Sequence, residues 1–133
     1  MYARAVSTGR EGRPTPPLPP RINRSNAGQV LLLKGCSAGL TGSGALTYSQ
    51  DSSGVPGSTE TDDKLGSAVT LTDLSGYGRA DLTIGAEGED VGNGTLLHLP
   101  SGSTGLSLSD ALYLGTSQLS IPAAARLGQV VTP

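Results

Sequence analysis

The chain has 133 residues, among them 20 Gly, 9 Pro and 4 Tyr, with no Phe or Trp. A core of that composition has to be built from Leu, Val, Ile and Ala, which bury less area per residue than large aromatics do. The net charge is −2, and the single cysteine, Cys36, excludes an internal disulfide and any cysteine-cluster zinc site.

The charge is unevenly placed. Residues 1–27 carry five arginines (Arg4, Arg10, Arg13, Arg21 and Arg24) against Glu11, a net of +4. Their Arg, Pro, Gly and Ser content and the run Pro14–Pro20 favour polyproline II and predict a disordered Arg/Pro-rich tail. Pro16, Pro19 and Arg21 match a P-x-x-P-x-R ligand for an SH3-type groove, against the plainer reading of a proline-rich linker or a mis-assigned start of translation. A signal peptide needs an apolar stretch of roughly 7–15 residues after a basic start, and none is written here.

Residues 28–133 hold four basic and ten acidic residues, a net of −6, which argues against nucleic-acid binding. The longest apolar run, Val30 to Leu33, falls far short of the roughly 20 residues that cross a bilayer as a helix. Short apolar runs separated by Gly, Ser, Asp and Pro predict strands near 29–34, 45–48, 65–71, 80–84, 95–99, 111–114 and 127–131. No spacing sustains a 3.6-residue period, so helix content is expected to be low.

The same residues recur. Gly28 matches Gly94, Ser37 matches Ser103, Gly39-Leu40 matches Gly105-Leu106 and Ala45-Leu46 matches Ala111-Leu112, all at an offset of 66, with His98 at the position of Leu32. Leu65-Gly66 and Val69-Thr70 then match Leu127-Gly128 and Val131-Thr132 at 62. Self-similarity at this length signals a repeat array. A unit of this size with about four short strands fits a propeller blade.

The densest stretch runs from Leu65-Gly66 through Asp73-Leu-Ser75-Gly76-Tyr77-Gly78-Arg79-Ala-Asp81 to Ile84-Gly85-Ala86-Glu87. It resembles the FG-GAP repeat of integrin α-subunit propellers and of many bacterial secreted proteins. Leu65-Gly66 stands where the family has Phe-Gly, and Gly85-Ala86-Glu87 where it has Gly-Ala-Pro. The resemblance implies an all-β fold: an incomplete β-propeller of about one full blade plus parts of adjacent blades over 28–133. It further implies a non-catalytic binding or adhesion scaffold for a protein or carbohydrate ligand, in an extracellular or cell-surface setting. The alternatives are an accessory propeller of a secreted, phospholipase-like hydrolase and a truncated gene remnant.

In that family the turn is a calcium loop, D-x-[DN]-x-[DN]-G-x-x-D. Calcium needs several oxygens converging at about 2.3–2.6 Å and a glycine for the sharp turn. Asp73, the Ser75 hydroxyl, the Arg79 carbonyl and Asp81 are the ligands the resemblance implies, with Gly78 at the turn. Ser75 and Tyr77 depart from the pattern, and two carboxylates in place of four would weaken the site. The alternative is that Asp73 and Asp81 only bind the turn's own amides.

Glu87, Glu89 and Asp90, beside a hairpin-like Gly92-Asn93-Gly94, and the pair Asp62-Asp63 read as solvated acidic loops, with a second cation site as the alternative. His98 takes the place of Leu32 and reads as a packing position. No G-x-S-x-G, phosphate loop or dinucleotide fingerprint occurs. Since closed propellers need about 4–8 blades and 28–133 supplies fewer than two units, self-association through exposed blade faces or only marginal folding is expected.

Overall fold

The protein is described by a computed structural model that covers residues 2–6, as backbone, and 24–132. Its strands are β1 (Tyr2–Val6), β2 (Gln29–Cys36), β3 (Gly39–Tyr48), β4 (Leu65–Thr72), β5 (Asp81–Ala86), β6 (Thr95–Leu99), β7 (Ser101–Gly102), β8 (Gly105–Leu106) and β9 (Leu112–Gly115). Helical structure among the described residues is confined to the four-residue turns α1 (Glu89–Gly92) and α2 (Thr116–Leu119). The chain is all-β. Three antiparallel sheets have the orders β1-β2-β3, β4-β5-β6-β9 and β7-β8.

The two larger sheets are built alike. In the first unit Val30 faces Tyr48, Leu31 faces Thr47 and Leu32 faces Leu46. In the second, 66 residues on, Leu96 faces Leu114, Leu97 faces Tyr113 and His98 faces Leu112. The outer part of the hairpin repeats too: Gly35–Leu40 and Cys36–Gly39 correspond to Ser101–Leu106 and Gly102–Gly105. Pro100 has no N–H to give to a ladder, so the long hairpin of the first unit is split into β6–β9 and β7–β8 in the second. On the other edge, β1 pairs β2 in the register in which β5 pairs β6: Ala3 faces Leu32 as Thr83 faces His98.

Part of the segment expected as a disordered tail is therefore ordered. Tyr2–Val6 forms β1, and Ser25, Asn26 and Ala27 give their carbonyls to the N–H groups of Asp62, Lys64 and Leu65 at 2.8–2.9 Å. Strand character comes here from pairing with β2, a partner more than 20 residues away across the Pro-rich stretch, rather than from local composition. Pro16, Pro19 and Arg21 lie outside the described residues.

The units meet through a joint that occurs twice. Gly28 makes a parallel bridge to Leu65, and Gly94 makes the same bridge to Leu127. The Leu65 N–H donates to the Ala27 carbonyl at 2.8 Å, and the Leu127 N–H to the Asn93 carbonyl at 3.0 Å. The left-handed backbone positions repeat as well: Asn26 with Gly92, Gly28 with Gly94, Asp62 with Ala124, Lys64 with Arg126 and Gly66 with Gly128. A Cβ on Gly28 would overlap the Leu65 carbonyl oxygen, and one on Gly94 would overlap the Leu127 backbone, so each joint requires glycine.

One apolar cluster fills the space between the units. Val30, Leu32, Tyr48 and Val55 of the first join Leu65, Leu82, Ile84, Ala86, Leu97 and Leu99 of the second, with Val69 and Leu71 against them. The central strands consequently alternate in opposite phase. In β2, Val30 and Leu32 are buried while Leu31 and Leu33 are half-buried. In β6 the equivalents of the latter pair, Leu97 and Leu99, are buried, and Leu96 and His98 are half-buried. The same strand of the repeat thus shows opposite faces to a single interface.

Residues 127–131, expected as a strand, form only the bridge at Leu127. They follow β4's sequence, but no strand among the described residues pairs with them, and a strand without a neighbour has no ladder.

Candidate functional site

The β4–β5 connection carries Asp73, Ser75, Arg79 and Asp81. Gly76 and Gly78 both have φ near +75°, which lets the chain fold back over the Asp73 side chain. Asp73 Oδ1 accepts from the N–H groups of Gly76 (2.7 Å) and Tyr77 (3.0 Å), and Oδ2 from that of Gly78 (2.7 Å). Asp81 is buried beneath the same turn. Its Oδ2 accepts from the N–H groups of Leu74 (3.0 Å) and Ser75 (2.9 Å), and its Oδ1 from that of Ser101 at 2.7 Å. The Ser75 hydroxyl stands between the carboxylates, 3.4 Å from Asp73 Oδ1 and 3.5 Å from Asp81 Oδ1. The Ser101 amide above all, then the Ser75 and Leu74 donors, hold the Asp81 carboxyl below the usual carboxylate range against the opposing effect of burial.

The turn brings Asp73, Ser75 and Asp81 together as the spacing suggests, while Arg79 and Tyr77 stay exposed. All four carboxylate oxygens accept from backbone N–H groups. No group of three or more His, Cys, Asp or Glu that could hold a metal occurs among the described residues. The chemistry supported here is local: two acids cap the turn, and Asp81 ties it through Ser101 to the next hairpin.

A second polar cluster lies at the end of the unit interface, where the loops 49–63 and 87–94 meet. Asp63 and Glu89 are 1% and 6% exposed. The expectation of solvated acidic loops therefore fails for both, because packing between the units covers these loops. Asp63 accepts from the Glu60 N–H, and Gln50 Nε2 donates to Glu89 Oε2 at 2.6 Å. The Tyr113 hydroxyl stands 3.5 Å from Glu89 Oε1. Burial pushes the Glu89 carboxyl up to about 7, against the Gln50 hydrogen bond and with help from Asp63, Asp90 and Glu60. Burial likewise raises Asp63 and Tyr113. No sequence motif announces this cluster. Gly92 ends the short turn α1, whose Asp90 and Val91 are left-handed, and the Gly92 and Gly94 N–H groups donate to the Gly88 and Glu89 carbonyls, so the segment is not a two-residue hairpin.

Glu87 instead lies between two cations, Lys64 at 3.1 Å and Arg126 at 3.2 Å. His98 Nδ1 is 3.0 Å from Thr83 Oγ1, so the histidine at the Leu32 position is held to the neighbouring strand. Cys36 is exposed at the end of β2. Comparison with known proteins adds no relative: no family model, no curated protein and no solved structure matches the chain.

Proposed function

We propose that the chain is a segment of an FG-GAP-type β-propeller that acts as a non-catalytic binding scaffold in an extracellular or cell-surface setting. The observation that carries the reading is the doubled joint: Gly28–Leu65 sets the three-stranded sheet against the four-stranded one, and Gly94–Leu127 repeats the same bridge at the end of the second unit. Stacked sheets related by such a joint are the building plan of propellers and arrays, and loops at one end of the units would carry a protein or carbohydrate ligand. Both acid clusters sit in positions that shape loops and joints, which suits a scaffold.

Two measurements test this. Hydrogen exchange on the dilute chain should show the Leu65 amide and the amides of β5 and β6 opening together in one cooperative step; separate unfolding of the two sheets would reject packed units. A glycan and matrix-protein array should then give a binder that stays bound with no turnover of the ligand, and cleavage of the ligand would favour an enzyme instead. The family resemblance also implies calcium at Asp73–Asp81. With the carboxylates committed to backbone amides, the melting midpoint should be the same in millimolar calcium and in chelator. A rise with calcium would make the turn a metal loop.

A further inference from the structure

The two joints differ in the residue that precedes the bridging glycine. Ala27 precedes Gly28 in the first, and Asn93 precedes Gly94 in the second. Asparagine followed by glycine is prone to lose its side-chain amide, because a glycine nitrogen with no neighbouring Cβ can approach the carboxamide closely. In the first joint Asn26, whose Nδ2 donates to Asp62 Oδ1 at 2.7 Å, is followed instead by alanine.

The fold holds this reaction back. The Gly94 N–H donates to the Glu89 carbonyl at 2.9 Å. The Asn93 side-chain oxygen accepts from the Ala124 N–H at 2.7 Å. The Asn93 carbonyl accepts from the Leu127 N–H at 3.0 Å, and a ψ of −42° keeps the residue helical. Nucleophile and target react only from a near-attack geometry, and these contacts hold Gly94 N and Asn93 Cγ away from it. Residues 124–127 thus form the joint and also clamp the carboxamide. The turn that binds the Gly94 amide is itself strained. Asp90 and Val91 are left-handed at φ 51° and 61°, an outlying conformation for a β-branched residue, and the Val91 side chain is wholly exposed, so no packing offsets the strain.

We propose that Asn93–Gly94 is a self-modifying site gated by the second joint. It deamidates when 124–127 lifts away, and the isoaspartate it forms keeps the joint from closing again. Hydroxide takes the Gly94 amide proton, and the nitrogen attacks Asn93 Cγ. The bond from Cγ to the side-chain nitrogen breaks, ammonia leaves with a proton from water, and a succinimide ring remains. Water then opens the ring at either carbonyl, giving aspartate or isoaspartate. Aspartate keeps an oxygen where Oδ1 stood, so the Ala124 contact survives. Isoaspartate routes the backbone through an extra methylene carbon. Gly94 lies so close to the Leu127 backbone that even a Cβ would overlap it, and the longer backbone cannot fit the bridge. The inference uses the second joint alone and does not depend on what the scaffold binds.

Peptide mapping by mass spectrometry on the full chain, kept in mildly alkaline buffer, tests the gate. Deamidation should centre on Asn93, slowly in the native protein and many times faster in guanidinium. Equal rates in the two conditions, or modification at Asn26 ahead of Asn93, would overturn the proposal. Ala124→Pro removes the donor to the Asn93 side chain and should speed deamidation about two- to tenfold, the factor that one hydrogen bond supports. Arg126→Met loosens the same segment without touching its backbone, and should give a smaller increase that decides the matter where the proline variant misfolds. Wild-type rates in both variants would remove the gate.

The products test the lock. Native chains carrying isoaspartate at position 93, separated by chromatography, should exchange the Leu127 amide faster than wild type and the Leu65 amide at the wild-type rate. Asn93→Asp should leave both amides unchanged. An isoaspartate chain whose Leu127 amide exchanges as in wild type would refute the lock.

Discussion

The two units share a register and differ in which face is covered. In the first, the face of Val30 and Leu32 is closed; in the second, that face is open and the face of Leu97 and Leu99 is closed. The difference teaches that, in a repeat, burial belongs to a residue's place in the array rather than to its place in the unit. Leucine occurs on both faces of β2, and only the face of Val30 and Leu32 is closed by the second unit. The sharpest way to break the comparison is to truncate equivalent leucines. Leu97→Ala should cost about 2–5 kcal/mol, as for a fully buried leucine, and Leu31→Ala under about 1 kcal/mol in the dilute monomer. Equal losses in urea denaturation would mean that the faces are not distinguished as described.

The joints allow a second contrast. Gly28 and Gly94 both have φ near +80° and both sit where a Cβ would strike the partner backbone. Leu65, however, starts a strand held in a full sheet, while Leu127 leads into a segment with no ladder. Gly28→Ala cannot be relieved without separating the units and should cost about 2–3 kcal/mol. Gly94→Ala can be relieved by displacing 127–132 and should cost about 1 kcal/mol, close to the left-handed alanine penalty alone. A Gly94→Ala loss as large as that of Gly28→Ala would show that the open joint is as rigid as the closed one.

How much of this was legible in the sequence depends on whether a feature is local. The joint glycines were visible as matches at 66, and most strands as apolar runs, because glycine at a left-handed position and a buried leucine are demanded residue by residue. β1 was not visible: Tyr-Ala-Arg-Ala-Val is short, and only β2 makes it a strand. The opposite error at 127–131 has the same cause, a strand-like sequence without a neighbour. The turn was half legible, since the spacing of Asp73, Ser75 and Asp81 does bring them together, but the direction of their oxygens toward backbone amides depends on the fold of the loop. Asp63 and Glu89 read as solvated because the packing that buries them comes from loops far apart in sequence.

The two acid sites also respond to pH in opposite senses. Asp81 has its carboxyl held down in the fold, so its contribution is present above the ordinary carboxylate range and is lost as the pH falls below it. Glu89 is pushed up to about 7 from an ordinary 4.5. Between these values the folded state holds a proton that the unfolded state has released, so stability falls as pH rises from about 4.5 to 7 and levels off above. Glu89→Gln removes that slope and should make the protein about 1–2 kcal/mol more stable at pH 8 than wild type, with less effect at pH 4.5. Denaturation midpoints across this range check it. A slope that survives the substitution would assign it to another group, Asp63 first.

The smallest effect tests the joints at their surface. Glu87 pairs with Lys64 and Arg126, which occupy equivalent positions of the closed and the open joint. Both cations are roughly half exposed, so solvent and salt screen them, and Lys64→Met or Arg126→Met should each cost under about 1 kcal/mol, less still at high salt. The two differ in where the loss appears. Lys64 lies in the joint between two complete neighbours, so its removal should lower global stability slightly. Arg126 lies in a segment also held by the Leu127 bridge, by the Arg126 and Ala124 N–H groups on Gly92 and Asn93, and by Ser67, whose hydroxyl donates to the Gly128 carbonyl at 3.0 Å. Arg126→Met should therefore leave the denaturation midpoint unchanged and speed hydrogen exchange at the Leu127 amide of the dilute monomer. Faster exchange at Leu65 instead would show that the open joint helps to hold the closed one, and that the two are mechanically coupled through Glu87.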